Sequence, residues 1–411
     1  METLHREVPT GILEGSFEAR FAPVVDEFVA NFADRGEVGA SLAITHEGET
    51  VVDVWGGTAD PVAGTPWQQG TVSIVFSCTK GATAICAHVL AAQGKLDLES
   101  PVADYWPEFA HGPKAGVTVR MMLDHSVGVP AFRGAIEKGE LYDWDRMVAR
   151  LEAEVPFWEP GTRNGYHMIN FGWTVGELVR RASGVSLGTY FQDAVAKPLG
   201  IDFWIGTPEE IEPRIAPMRH YVRSKGEPLS AFQRELLSDP TSIPALASSN
   251  IAMMNVNTRA AHAAEVGGGN GISNGRGLAG MYTPFALGGT APNGTVLTDR
   301  DGVDRMRRVS MATNSDATLR IPTRFAMGFM VSIDNRGRAD DDSAVLGEHA
   351  FGHVGAGGSI GFADPWCGLA LGYSMNRMGK SILLNDRGQS LVDATYRALG
   401  FRSNVSGSWQ R

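Results

Sequence analysis

Phe21, Val24, Val25, Phe28, Val29 and Phe32 recur every three or four positions among polar neighbours. That spacing paints one buried face and predicts a helix over 18–35, stopped at Gly36. Two apolar, β-branched runs follow, 39–45 and 50–55. They predict strands joined through His46-Glu47-Gly48-Glu49 as a hairpin. The far end of the chain repeats this texture. Segments 325–333, 359–363 and 369–373 predict short strands split by turn residues, and 382–398 predicts a closing helix.

Between these ends the pattern is mostly helical, with examples at 79–93, 118–125, 144–152, 172–183 and 187–196. The expected fold class is α/β of the α+β type. Both chain ends build one central antiparallel sheet carrying helices, and a large helical lobe stands alongside. The expected domains are a discontinuous sheet domain, 1–76 with 301–411, and a mainly helical domain, 77–300. The cleft between them is the default ligand site. Gly267-Gly268-Gly269-Asn270-Gly271 is either a linker or an active-site loop on this pattern alone.

Composition narrows the function. Hydrophobic residues make up 43% of the 411 and charged residues 20%, enough for a sizeable core. The net charge of −10 and the absence of a Lys/Arg cluster argue against nucleic acid as a partner. No apolar run approaches the ~20 residues of a membrane span. The opening Met1-Glu2-Thr3-Leu4-His5-Arg6-Glu7 lacks a secretory pattern, so the expectation is a cytoplasmic protein without a membrane partner. Cys78, Cys86 and Cys367 form no Cys-x-x-Cys pair and no even framework, and neither a metal nor a cofactor is expected.

Three segments carry candidate chemistry. Ser77-Cys78-Thr79-Lys80-Gly81 follows the strand-like run 71–76 and precedes an apolar helix. Residues i and i+3 share a helix face, so Ser77 and Lys80 meet at the helix N-terminus. A serine hydroxyl needs a neighbouring base, and a lysine supplies one once burial lowers its pKa. The bland alternative is Ser77 as an N-cap and Lys80 in solvent. Tyr166, after the turn Glu159-Pro160-Gly161-Thr162, opens a helix. It is either a packed core tyrosine or, beside Lys80, a proton shuttle. Gly352-His353-Val354-Gly355-Ala356-Gly357-Gly358-Ser359 is a sheet edge at which a ligand can lie against the backbone.

These segments, in this order, resemble the serine β-lactamase and penicillin-recognising superfamily. Within it the chain is most similar to the class C-like branch, in particular to family VIII carboxylesterases and related acyltransferases. The likeness runs from about residue 37 to 400. It includes 120–130 (Arg120 to Pro130), the Tyr166–Glu177 helix start, 274–279 and 361–365. The resemblance implies a β-lactamase-like fold and Ser77 as acylated nucleophile, with Lys80 and Tyr166 handling the proton. It implies an oxyanion hole from the backbone amides of Ser77 and Ala356. His353, Gly355 and Gly357 would contact substrate, His353-Val354-Gly355 standing where β-lactamases carry Lys-Thr-Gly. His125 is expected to brace the site.

Two departures from the pattern shape the expected substrate. Tyr166-His167-Met168 lacks the asparagine of the class C Tyr-x-Asn. His353, largely neutral at pH 7, replaces a cationic lysine that holds carboxylates. Both favour neutral esters. The expected partners are a small acyl ester or amide and, for a transferase, an alcohol or amine acceptor. Alternatives within the same chemistry are acyl transfer and β-lactamase or D-aminopeptidase activity. The alternative from another class is a catalytically silent binding protein on the same fold.

Three decoys are set aside. Gly357-Gly358-Ser359-Ile360-Gly361 matches a nucleophile elbow, but the text after Ser359 is strand and turn, and no histidine follows His353. His349 and His353 would stand ~13 Å apart if extended, too far for one metal ion. Met378-Gly379-Lys380-Ser381 ends like a phosphate loop, but Ser374 stands where its first glycine belongs.

Overall fold

The computed structural model describes residues 1–252, 254–338 and 342–411. Its main sheet is antiparallel throughout. Its strands are β1 (Glu2–Val8), β2 (Gly11–Phe17), β3 (Gly39–His46), β4 (Glu49–Asp60), β5 (Met311–Thr313), β6 (Thr323–Phe325), β7 (Met330–Val331), β8 (Phe351–Val354), β9 (Ile360–Asp364) and β10 (Leu369–Met375), with the short Thr65–Pro66 paired to the end of β4. Their spatial order is β1-β2-β4-β3-β10-β9-β8-β7-β6-β5. The two chain ends therefore meet at β3 and β10, registered from Leu369 opposite His46 to Met375 opposite Ala40.

β10 is buried at every position, which explains the apolar run 369–373 with which it begins. Leu369, Leu371 and Tyr373 join the core beneath helices α1 (Ala22–Ala33) and α5 (Asp386–Ala398). The alternate positions face α4 (Gly275–Ala286), and small residues there let the helix approach closely. A Cβ on Gly372 would lie 2.2 Å from the Gly275 carbonyl. Helix α4 belongs to the helical stretch of the chain, yet it rests on β3, β9 and β10. In the helical lobe α2 (Cys78–Ala92) is buried from Cys78 to Leu90 and packs on α3 (Phe171–Ser183).

Local departures from the sequence expectation have physical causes. The first 17 residues form a hairpin, β1–β2, where only Leu4, Leu13 and Phe17 are buried, too few to give an alternating signal. The expected strand over 325–333 is cut into β6 and β7 by a turn with Gly328 at φ +89°. The helix expected at 118–125 stops at Leu123, because His125 takes the left-handed conformation at φ +67°. Of 71–76 only Ser73–Ile74 is strand. It pairs with Ile272–Ser273, which also pairs with Phe203–Trp204, in a small second sheet.

Candidate active site

That small sheet delivers Ser77 to its neighbours. Just past it, Val75 N–H donates to Gly271 O at 2.9 Å, laying the chain beside the glycine-rich loop. Phe76 is then forced to φ +46°, a costly conformation for a bulky residue, and turns the chain abruptly into α2. Ser77 sits at the N-terminal end of this helix.

One turn on, Lys80 is fully buried, and its Nζ lies 3.0 Å from Ser77 Oγ. The same nitrogen donates to the carbonyls of Met168 (2.6 Å) and Gly268. A neutral amine has two N–H donors and one lone pair. Two carbonyls take the donors, which leaves the lone pair for the Ser77 hydroxyl. Burial away from water holds the lysine well below its ordinary 10.5.

Tyr166 is held at the same point. Its phenol hydrogen-bonds Ser77, and its ring lies 4.7 Å from Lys80 Nζ. Burial pushes the phenol upward, so it remains un-ionised. The ring stacks on Phe325 at 5.7 Å with planes 8° apart. Its backbone is gripped by Asp316, both of whose carboxylate oxygens accept from Tyr166 N–H at 3.0 Å. Asp316 also accepts from Thr318 N–H, Leu319 N–H and the Thr323 hydroxyl.

Three histidines surround this group, and backbone partners set the tautomers. His125 Nδ1 accepts from His167 N–H at 3.2 Å, so the His125 proton is on Nε2. His167 Nδ1 donates to Gly165 O (2.7 Å), and its Nε2 accepts from Val129 N–H (3.1 Å). His353 Nδ1 donates to Val354 O at 2.7 Å. Its Nε2 is a buried acceptor with no partner among the described residues. Burial is the leading cause holding all three neutral, with His167 and His353 lowered to about 3. The His125 and Tyr166 rings are 4.9 Å apart, and those of His353 and Tyr166 6.0 Å.

The glycine run after His353 closes the site from the sheet side. Gly355 N–H donates to Ser359 O and Gly358 N–H to Gly355 O, a tight turn with Gly357 at φ +88°. A Cβ on Gly355 would lie 2.3 Å from Val75 O, so only glycine lets this turn meet the strand end that leads to Ser77. Ser359 Oγ bonds the same Val75 carbonyl at 3.2 Å, and Cys78 Sγ donates to His353 O. Among the described residues neither the Ser77 nor the Ala356 N–H has a hydrogen-bond partner. Ser359 itself is buried at the head of β9, away from any strand-to-helix elbow.

Of the residues singled out from sequence, Ser77, Lys80, Tyr166, His125 and His353 therefore lie together. Ser359 serves as a brace. His349 lies apart, bonded to Arg307 and stacked on Trp366. The Gly267–Gly271 run lines the site. Its Gly268 O takes the Lys80 donor, and Gly267 O accepts from Thr83 Oγ1 at 2.8 Å. Asp316 was not found from sequence, because nothing local distinguishes it. Its role comes from a contact 150 residues away. No group of three or more His, Cys, Asp or Glu among the described residues is arranged to hold a metal, and none of their helices is long and apolar enough to cross a membrane.

The family model described as Beta-lactamase matches residues 21–393, and the chain belongs to that family. It is 33% identical over 386 residues to the esterase/β-lactamase LipL of Mycobacterium tuberculosis, covering 90% of this chain and 85% of LipL. A crystal structure of a family VIII carboxylesterase superposes with a TM-score of 0.82 at 39% identity, over 94% of this chain and 99% of that one. EstA from Arthrobacter nitroguajacolicus Rue61a superposes with a TM-score of 0.80 at 27% identity, over 97% and 99%. The fold is β-lactamase-like, and its structural neighbours include that family VIII carboxylesterase and a penicillin-binding protein homologue from Caulobacter crescentus.

Proposed function

We propose that this protein is a serine hydrolase that cleaves neutral carboxylic esters through an acyl-Ser77 intermediate. The observation that carries this is the buried Lys80 amine, whose Nζ lies 3.0 Å from Ser77 Oγ while it also meets the carbonyls of Met168 and Gly268. As Ser77 Oγ attacks the ester carbonyl carbon, its proton passes to Lys80 Nζ. The ammonium so formed lies over the Tyr166 ring, whose face attracts a cation. The carbonyl oxygen becomes an oxyanion and takes hydrogen bonds from the Ser77 and Ala356 amides, each such donor supplying a few kcal/mol in hydrolases. The C–O bond to the alcohol then breaks. The leaving oxygen takes the Tyr166 phenol proton, and Tyr166 is re-protonated from Lys80. Water repeats the sequence on the acyl-Ser77, releasing the acid and restoring the Ser77 hydroxyl.

Neutral substrates are favoured by His353. A neutral imidazole stands where a lysine would hold a carboxylate, and burial keeps it neutral. The names of LipL, an esterase/β-lactamase, and of the family VIII carboxylesterase support ester cleavage.

Intact-mass spectrometry after mixing with short p-nitrophenyl esters tests the proposal. One acyl mass should appear on the wild type and none on Ser77→Ala. An adduct that persists in water and clears only on adding an alcohol or amine would make the protein an acyltransferase. An adduct on Ser77→Ala, or neither an adduct nor ester turnover with the wild type, overturns it.

A further inference from the structure

We infer that Asn385 is a positioning residue for the oxyanion amide of Ala356, an assignment that rests on the function proposed above. The turn Gly355–Gly358 carries that amide at its second position. What fixes the turn on the side away from Ser77 is one carbonyl, Gly357 O. It accepts from Asn385 Nδ2 at 2.7 Å, Gly379 N–H at 2.9 Å and Arg387 Nη2 at 3.5 Å. Glycine is required on the turn side of this contact. A Cβ on Gly358 would lie 2.5 Å from Asn385 Nδ2, and one on Gly357 would lie 2.7 Å from Met378 Cα.

The other end of the Asn385 amide is equally engaged. Its Oδ1 caps α5, accepting from Arg387 N–H at 3.1 Å and Gly388 N–H at 3.3 Å. Arg387 in turn is buried against Glu37 (2.6 Å) and the Arg377 carbonyl (2.7 Å). One planar amide thus couples the rigid start of α5 to the turn, its acceptor spent on the helix and its donor on Gly357. Only the Ala356–Gly357 peptide unit separates the one bearing the Ala356 N–H from the one bearing that carbonyl. A turn released there tilts the amide away from where charge develops in the transition state, and errors near 1 Å in such donors cost about 100-fold in rate.

The two ends of the side chain can be separated by substitution. Asn385→Asp keeps an oxygen to cap α5, aspartate being as good a cap as asparagine, but it loses the N–H to Gly357 and sets a carboxylate against a carbonyl. The thermal midpoint should stay near wild type. The kcat/KM for p-nitrophenyl butyrate should fall 10- to 100-fold, mostly in kcat, and the affinity of phenylboronic acid should weaken in parallel. The deficit relative to wild type should shrink as pH falls, because the introduced carboxyl, once protonated, can donate to Gly357 O again. A residue that only stabilises the fold would not produce that pH-dependent recovery. Asn385→Ser, which keeps a capping oxygen without the reach to Gly357, should show the same loss without the recovery, and it serves if the Asn385→Asp variant does not fold. Wild-type kcat in both folded variants, or a loss confined to thermal stability, overturns the assignment. Absence of Ser77 acylation in the wild type would instead remove the function on which it rests.

Discussion

The Gly268 carbonyl accepts a hydrogen bond from Lys80 Nζ while its own Cα presses on Ile169 O, which a Cβ would approach to 2.3 Å. The lysine's protonation state is thus held by backbone that cannot move aside. Deprotonation of Lys80 should control the acid limb of kcat/KM, with an apparent pKa below the ordinary lysine value of 10.5. A pH–rate profile measures it. Lys80→Met should lose that limb and at least about 1000-fold in rate. A variant retaining the wild-type profile would exclude Lys80 as the base.

Tyr166→Phe separates packing from proton transfer. The ring would keep its stack on Phe325 and its contact with His125, so urea unfolding should change by less than about 1.5 kcal/mol, the net value of one hydrogen bond. Turnover should fall roughly 100- to 10,000-fold. Equal turnover in the two proteins would rule out a shuttle through the phenol.

The buried histidines make the fold acid-sensitive. His167 and His353 are lowered to about 3 and His88 to about 4, chiefly by burial. The unfolded chain takes up these protons near pH 6.5 and the folded chain does not, so their contribution is complete above about pH 6.5 and drains as pH falls toward 3–4. His88 lies away from the site and hydrogen-bonds Met327 O at 2.9 Å. His88→Gln should reduce the stability lost between pH 7.5 and 5 by about 2 kcal/mol in urea titrations. An unchanged pH dependence would show that His88 titrates normally in the fold.

Glu37 and Arg387 form a buried ion pair at 2.6 Å, with side chains 0% and 5% exposed. Glu37→Gln leaves the guanidinium buried without its counter-charge and should cost roughly 3–5 kcal/mol in equilibrium unfolding. A cost below about 1 kcal/mol would mean that the pair is not what holds Arg387 in place.

Much of this was legible in the sequence, because periodicity and turn chemistry act locally. The β3–β4 hairpin, α2 after a strand-like run, and helix α5 follow from spacing that the chain displays within a dozen residues. Ser77 and Lys80 share a face by helical geometry alone, and their 3.0 Å contact needs no distant partner. What stayed hidden depends on residues far apart in the chain. Asp316 matters because it holds Tyr166, and Asn385 because it holds Gly357, and neither has a local signature. The Gly267–Gly271 run looked equally like a linker. It is buried because Gly172, Gly267 and Gly268 pack backbone on backbone, where a Cβ on Gly172 would lie 2.3 Å from Gly268 N. The β1–β2 hairpin escaped notice because an edge ribbon with three buried side chains shows little alternation.

The junction of β3 with β10 joins residues more than 300 positions apart. A growing polypeptide carries Ser77 and Lys80 early, but the turn that faces them lies between β8 and β9, and β9 gains its second neighbour only when β10 arrives. Contacts this distant close slowly. During synthesis Ser77, the proposed nucleophile, is therefore present long before the Ala356 amide proposed to serve it, and the two face each other only once residue 375 has emerged and docked beside residue 40.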